Sequence, residues 1–355
     1  MDRLNRDLRV AIIGCGVIAP SHAEGYRRCS GVRIIWACDL VEAKARALAE
    51  RFGIPRITTD YRELLADPEL DAVSICTDHA SHAEIAVAAL EAGKHVLCEK
   101  ALAATTAGLD RMMAADARHP ELVFAGVFQH RFDRVYQYVK RLIEDGVFGR
   151  LLMASCKVLC LRTDAYYQAD RWRGTWEQEG GSVMINQAIH FVDLLNWMTG
   201  GIEAVAAAYA NLTHGATIET EDTAVAAVRF RNGALGSMSA TSSSHLNWDP
   251  SFFFYGSAGS LELRDGRPLR VAFNDETQTQ RVREDLETCA RASSSPSAGK
   301  DYYGPSHPTQ IADFVAAIRE RRSPYIPARA AREAVDLVLG IYRSHREGRW
   351  ITFPA

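Results

Sequence analysis

With 355 residues the chain is longer than one ordinary hydrophobic core supports, and two domains are expected. Hydrophobic residues at 47% and charged residues at 24% are ordinary for a globular protein, and a formal charge of −3 gives no electrostatic reason to expect nucleic acid or an anionic membrane as partner. No apolar run approaches the ~18 residues of a membrane helix. The run 10–13, behind a mixed-charge N-terminus, is too short for a signal-peptide core, so a cytoplasmic protein is expected. The eight cysteines agree with that compartment. Cys15, Cys29, Cys38, Cys76 and Cys98 sit in or beside apolar runs, as small buried hydrophobes do. Cys156 and Cys160 are four apart in what reads as a strand, without a histidine or further cysteine at metal-ligand spacing, so neither a zinc site nor a disulfide framework is expected.

Residues 8–13 read as a buried strand that runs into Gly14-Cys15-Gly16-Val17-Ile18-Ala19, a G-x-G-x-x-A turn, and then into a helix over 20–28. A second apolar strand, 32–38, ends at Asp39. Gly14 allows the tight turn, Gly16 admits the backbone of the turn to a pyrophosphate, and Ala19 lets the helix pack close to the strand. The helix N-terminus offers N–H groups and a positive dipole end to phosphate. A carboxylate closing the second strand accepts hydrogen bonds from both ribose hydroxyls and repels a 2′-phosphate, which favours NAD over NADP. The alternation continues with a helix over 42–52, an extended piece at 56–58 and a helix over 61–66. Strand 72–76 precedes helix 81–92, strand 95–98 precedes helix 105–117, and strand 122–127 closes the set. Such β-α repetition predicts a parallel sheet with ligands at the carboxyl ends of its strands. Thr77 to His82 and Glu99-Lys100 lie at two such ends.

The pattern changes after Phe132. A helix over 134–144 and a strand over 150–157 precede a polar, aromatic connection, 164–176, in which Arg171, Trp172 and Arg173 are candidates to line a polyol or phosphate pocket. Glu179-Gly180-Gly181 then opens a segment whose apolar residues at 185, 189, 192 and 195 follow helical spacing, with Asn186, His190 and Asp193 near one face. A histidine flanked by an amide and a carboxylate can take a proton from a hydroxyl, or stand as a structural histidine. Short strands are predicted at 204–212, 223–230, 235–241, 252–255, 260–263 and 269–272, with Asn232-Gly233 as a hairpin turn. They make a mostly antiparallel open sheet that needs cover on its open face. Residues 291–300 read as a mobile loop, 307–319 and 330–345 as helices, and 350–353 as a short strand.

These motifs together resemble the Gfo/Idh/MocA family, named for glucose–fructose oxidoreductase, inositol dehydrogenase and rhizopine catabolism. The resemblance rests on Gly14–Ala19, on Thr77 with His82, on Gly93–Lys100, on Gly126–Phe132, and on Gly180-Gly181 through Asn186, His190 and Asp193. It implies a Rossmann dinucleotide-binding domain over 1–127 and an α+β substrate-binding and oligomerisation domain over 128–355, with the helix 330–345 packing back across the domains. It also implies reversible hydride transfer between nicotinamide and a secondary alcohol carbon of a sugar, sugar derivative or inositol. Lys100 matches the lysine of the family's Glu-Lys-Pro motif, beside the nicotinamide and the reacting hydroxyl. His190 matches the general base, and Asn186 a position that is often Asp and sometimes Asn. Cofactor contacts are thereby expected from Gly14, Gly16, Val17, Ile18, Ala19, Asp39, Thr77, His82, Glu99 and Lys100. Substrate contacts are expected from Arg131, Trp172, Asn186, His190 and Asp193. No metal is implied, and the family commonly forms homodimers or homotetramers through the sheet. Ala101 stands where proline is usual, in a bond that is often cis, and the sequence leaves cis or trans open. Asn186 cannot serve as a base, which puts the proton duty on His190 and Lys100. Two other readings stand beside the dehydrogenase: a C=N or C=C reductase of the same fold, and a non-catalytic NAD-sensing regulator.

Overall fold

The computed structural model describes residues 6–292 and 306–354. They fall into two compact units, one made of residues up to Gln129 with the stretch from 306 to Arg332, the other of 130–292 and 333–354.

The first unit is built on six parallel strands, β1 (Leu8–Ile13), β2 (Val32–Cys38), β3 (Arg56–Thr58), β4 (Ala72–Ile75), β5 (His95–Cys98) and β6 (Phe124–Gly126), in the order β3-β2-β1-β4-β5-β6. The order reverses between β1 and β4, the place where doubly wound sheets bind ligands. The helices are α1 (Ala19–Arg27), α2 (Glu42–Phe52), α3 (Tyr61–Leu65), α4 (His79–Glu91) and α5 (Thr106–Arg118). Asp60, Asp78 and Thr105 begin α3, α4 and α5 by accepting from the backbone N–H of Arg62, Ser81 and Gly108, as N-caps do.

The helix expected over 307–319 is α10 (His307–Glu320), and it belongs to this unit rather than to the C-terminal domain anticipated from the sequence. Its Ile311, Phe314 and Val315 share one core cluster with Val10, Tyr26 and Leu97, and a Cβ on Gly25 of α1 would lie 2.4 Å from Ile311 Cδ1. The Gln310 amide stitches it to the end of β6, donating to the Gly126 carbonyl at 2.8 Å and accepting from the Phe128 N–H at 3.2 Å.

The second unit carries eight strands: β7 (Leu151–Leu161), β8 (Ile202–Ala210), β9 (Thr223–Phe230), β10 (Leu235–Thr241), β11 (Ser243–Gly256), β12 (Gly259–Arg264), β13 (Arg267–Phe273) and β14 (Ile351–Thr352). Their order is β13-β12-β11-β7-β10-β9-β8-β14, antiparallel throughout except for β7 with β10. Burial alternates along β9, and its exposed side, with Val225, is continuous with Leu235 and Met153 on the neighbouring strands. The helices are α6 (Arg134–Glu144), α7 (Asp164–Gln168), α8 (Ile189–Thr199), α9 (Glu276–Ala292) and α11 (Ala328–Glu347), the first turn of α11 falling in the first unit. Helix α9 was not anticipated. Its buried residues are only Thr279, Val282 and Leu286, too sparse a stripe to stand out among its charges. Arg291 and Ala292 end that helix, and the remainder of the expected loop, 293–300, lies outside the described residues.

The glycine-led helix also differs from expectation. Residues Val183–Ala188 form a π-helical turn, and the α-helix begins only at Ile189. Among the described residues no helix is long and apolar enough to cross a membrane.

Candidate active site

The turn after β1 is shaped by two glycines for different reasons. Gly14 has φ +89°, and a Cβ there would lie 2.6 Å from the carbonyl carbon and oxygen of Cys76, so the end of β4 presses on it. A Cβ on Gly16 would meet nothing within 4 Å. That open space leaves room for a ligand to approach the backbone of the turn, as a pyrophosphate does in a G-x-G-x-x-A turn. Val17 is exposed, Ile18 begins α1 without a side-chain cap, and Ala19 is buried, so the first N–H groups of the helix meet no capping side chain. Asp39 accepts from the Cys15 N–H through Oδ2 and from the Val41 N–H through Oδ1, both at 2.8 Å. These bonds aim a half-buried carboxylate from the end of β2 and leave lone pairs for a ribose. The residues present fit a dinucleotide.

Polar groups also converge at the carboxyl ends of β4 and β5. The Thr77 hydroxyl accepts from Ser81 Oγ at 2.7 Å. His82 is fully buried between two carbonyls, with Nδ1 2.8 Å from Ala101 O and Nε2 3.1 Å from Thr77 O. Burial pushes this imidazole below its ordinary value, and a neutral ring donates to only one of the two. The Lys100–Ala101 peptide bond is cis.

Glu99 is buried directly before the lysine. Its Oε1 lies 2.9 Å from His22 Nε2 and 3.6 Å from His307 Nε2, and its Oε2 accepts from the Lys100 N–H at 3.2 Å. Burial alone would raise this carboxyl, but hydrogen bonds and charge from the two histidines outweigh it and hold Glu99 well below the usual carboxylate range. His22 is itself anchored through Nδ1 to Ser74 Oγ, which also meets the Tyr26 hydroxyl.

In the second unit every residue from Glu179 to Asn196 is buried except Asn186 and His190, which are half-buried. The π turn starts on a buried carboxylate. Glu221 accepts from the Ser182 N–H through both oxygens at 3.1 Å, from the Met184 N–H at 3.0 Å and from the Tyr342 hydroxyl at 2.7 Å. Asn186 donates through Nδ2 to Oε1 of Glu179, and the Gly174 N–H donates to the other oxygen at 2.5 Å. Burial pushes both acids up to about 7.

His190 stands edge-to-face with His130, ring centroids 5.2 Å apart, and His130 Nδ1 is 2.6 Å from Asp133 Oδ2. Asp193 is 1% exposed and receives Nε and Nη2 of the buried Arg131 at 2.8 and 2.5 Å. That pair ties α8 to the 3-10 turn Gln129–Phe132. Trp172 is half-buried beneath the Arg173 guanidinium, 4.7 Å from its ring, while Arg171 is exposed.

Two family models cover this chain: the oxidoreductase-family NAD-binding Rossmann fold over residues 8–127, and the oxidoreductase-family C-terminal alpha/beta domain over 140–353. The chain belongs to the Gfo/Idh/MocA oxidoreductase family. It is an NAD-binding oxidoreductase with a Rossmann domain and a second domain bearing a large, mostly antiparallel sheet. A myo-inositol 2-dehydrogenase from Thermotoga maritima is 29% identical over 277 residues, 76% of this chain and 79% of the relative. The WlbA dehydrogenase from Bordetella pertussis, solved with NADH and UDP-GlcNAcA, superposes with TM-score 0.89 at 30% identity over 99% of both chains. A levoglucosan dehydrogenase solved with NADH and levoglucosan superposes with TM-score 0.85 at 26% identity, covering 98% of this chain and 100% of the other.

Sequence reasoning missed Glu179, Glu221, His22 and His307. The one available signal was an acid, Glu179, set directly before a glycine pair in an otherwise apolar segment.

The two glycines of the first turn separate fold from cofactor. Gly14→Ala is expected to lower stability by about 1–3 kcal/mol through its backbone clash. Gly16→Ala should leave the melting temperature of the ligand-free protein unchanged while weakening NAD binding in a fluorescence titration. Equal losses of stability in the two variants would contradict the open space at Gly16.

Proposed function

We propose that this chain oxidises a secondary alcohol of a polyol or sugar, or reduces the matching ketone, with Lys100, His190 and Asn186 as its catalytic residues. The observation that carries the reading is the partial exposure of Asn186 and His190 alone in an otherwise buried segment of eighteen residues, from Glu179 to Asn196. An imidazole and an amide presented from an otherwise closed wall supply a proton acceptor and a hydrogen-bonding partner for a hydroxyl. The relative named for myo-inositol and the two structures holding levoglucosan and UDP-GlcNAcA support the substrate class.

When bound, NAD supplies the acceptor for the hydride. His190 takes the hydroxyl proton as the carbonyl forms, a task suited to an imidazole at neutral pH. The Lys100 ammonium stabilises negative charge developing on the oxygen, and the cluster around Glu99 fixes the backbone from which that lysine extends. Asn186 orients the hydroxyl. Gly14, Gly16, Val17, Ile18 and Ala19 hold the pyrophosphate and Asp39 the ribose, with Thr77, His82 and Glu99 at the nicotinamide end. Arg131 and Asp193, ion-paired with each other, support α8, and Trp172 offers its ring to the substrate.

The test is a panel of myo-inositol, levoglucosan and UDP-GlcNAcA, followed by nicotinamide absorbance with NAD and with NADP. Turnover with NAD is expected, and His190→Gln should lower kcat by about 10²–10⁴-fold with NAD affinity retained. Lys100→Met should cost about 10²–10³-fold. Unchanged turnover in either variant overturns its assigned role, and a clear preference for NADP overturns that of Asp39.

We also propose that the exposed side of β9, β10 and β7, with Val225, Leu235 and Met153, is where copies of this chain associate as dimers or tetramers. Light scattering is expected to give a multimer that Val225→Lys with Leu235→Lys dissociates; a monomeric wild type contradicts it.

A further inference from the structure

The amide of Asn186 is held at one end by a carboxylate. Nδ2 donates to Glu179 Oε1, and Glu179 is buried while Asn186 is half-buried, so the donor end of the amide faces inward. An ionised carboxylate only accepts, which fixes this orientation and sets Oδ1, an acceptor, at the other end. A protonated Glu179 has a hydroxyl to donate. Because the Gly174 N–H cannot turn away from Oε2, the proton goes to Oε1, and that hydroxyl finds its acceptor when the amide faces it with Oδ1 and turns Nδ2 outward.

We propose that Glu179 is a positioning residue whose ionisation decides whether Asn186 offers the substrate an acceptor or a donor, and so whether alcohol or ketone is bound better. The proposal rests on the reading of Asn186 as substrate-facing. An alcohol donates to the Oδ1 form, whereas a ketone oxygen can only accept and is matched by the Nδ2 form.

Among the charged and titratable groups facing Glu179 are Arg173 from the preceding loop, Glu221 from the segment before β9, Tyr166 and Tyr167 from α7, and Tyr342 from α11. Burial pushes the acid up to about 7, against the Gly174 and Asn186 hydrogen bonds and the Arg173 charge. The proton is therefore lost as pH rises through about 7: the acceptor form prevails above and the donor form below. Ionisation that suits oxidation at slightly alkaline pH thus gives way to protonation that suits reduction at slightly acid pH.

Glu179→Gln mimics the protonated acid, since its one oxygen must serve Gly174 and its NH₂ then faces Asn186. The probes are the alcohol of the panel turned over fastest and the ketone it yields. At pH 8 this variant is expected to raise the alcohol's KM about tenfold, the loss of one aligned hydrogen bond, without raising the ketone's. Adding Asn186→Asp should restore the alcohol's KM, because the new amide donates to the new carboxylate, which again presents an acceptor. Both KM values moving together, neither moving, or no rescue by the double variant overturns the proposal. Should Glu179→Gln fail to fold, the alcohol's Kd is measured against pH in the His190→Gln enzyme saturated with NAD, which removes that histidine's own titration. Weakening as pH falls from 8.5 to 5.5 is expected, and a flat profile overturns the proposal. Asn186→Ala separates the two levels. If it leaves the alcohol's KM unchanged, the substrate-facing reading falls with the proposal; if it raises KM while Glu179→Gln does not, only the role of Glu179 falls.

Discussion

A buried carboxylate holds the start of the helix on which Asn186 and His190 stand. The first N–H groups of a helix lack partners within it, and a buried helix end needs them supplied from elsewhere. Here Glu221 accepts from Ser182 and Met184 and is itself fixed by the Tyr342 hydroxyl. The contact requires the chain to pass very close to that tyrosine. A Cβ on Gly181 would lie 2.2 Å from the Tyr342 oxygen, and Gly181 has φ +143°, a conformation that only glycine adopts without strain. The glycine pair is thus the condition for the cap, and the cap is the condition for a π turn that leaves one amide and one imidazole open in a buried wall.

The first unit repeats the device with a different outcome. Glu99 sits directly before Lys100 as Glu179 sits behind Asn186, each a buried acid bonded to the residue assigned to the chemistry. Two histidines compensate Glu99 and hold it ionised, which makes it a fixed anchor for the lysine's backbone. At Glu179 the hydrogen bonds from Gly174 and Asn186 and the charge of Arg173 do not outweigh burial, which dominates. The difference between an anchor and a titrating group lies in what faces the carboxylate.

The Rossmann unit was legible because its signals are local. Continuous apolar strands, two glycines at fixed offsets and Asp39 at the end of the second strand each announce themselves within a few residues, and the strands of the second sheet alternate clearly enough to be read. What stayed hidden depends on distance or on a mixed period. The apolar positions 185, 189, 192 and 195 obey α-helical spacing, so nothing announced the π turn at their start. Asp193 shares that spacing but faces inward to Arg131, sixty-two residues earlier in the chain. His307 reaches Glu99 across more than two hundred positions, and α10 joins the first unit through an apolar stripe indistinguishable from one facing the second. The elevated acids were invisible for the same reason, because burial of Glu179 and Glu221 is a property of the packed unit and not of their neighbours in sequence.

In the proposed reaction a hydride passes directly from a secondary alcohol carbon to NAD while its proton leaves to the protein. Isotope transfer tests it most directly: the active alcohol of the panel carrying deuterium on its carbinol carbon is oxidised in ordinary water, and the recovered NADH is weighed by mass spectrometry. One deuterium per NADH formed is the predicted result. NADH free of label, with the deuterium lost to solvent, would contradict it.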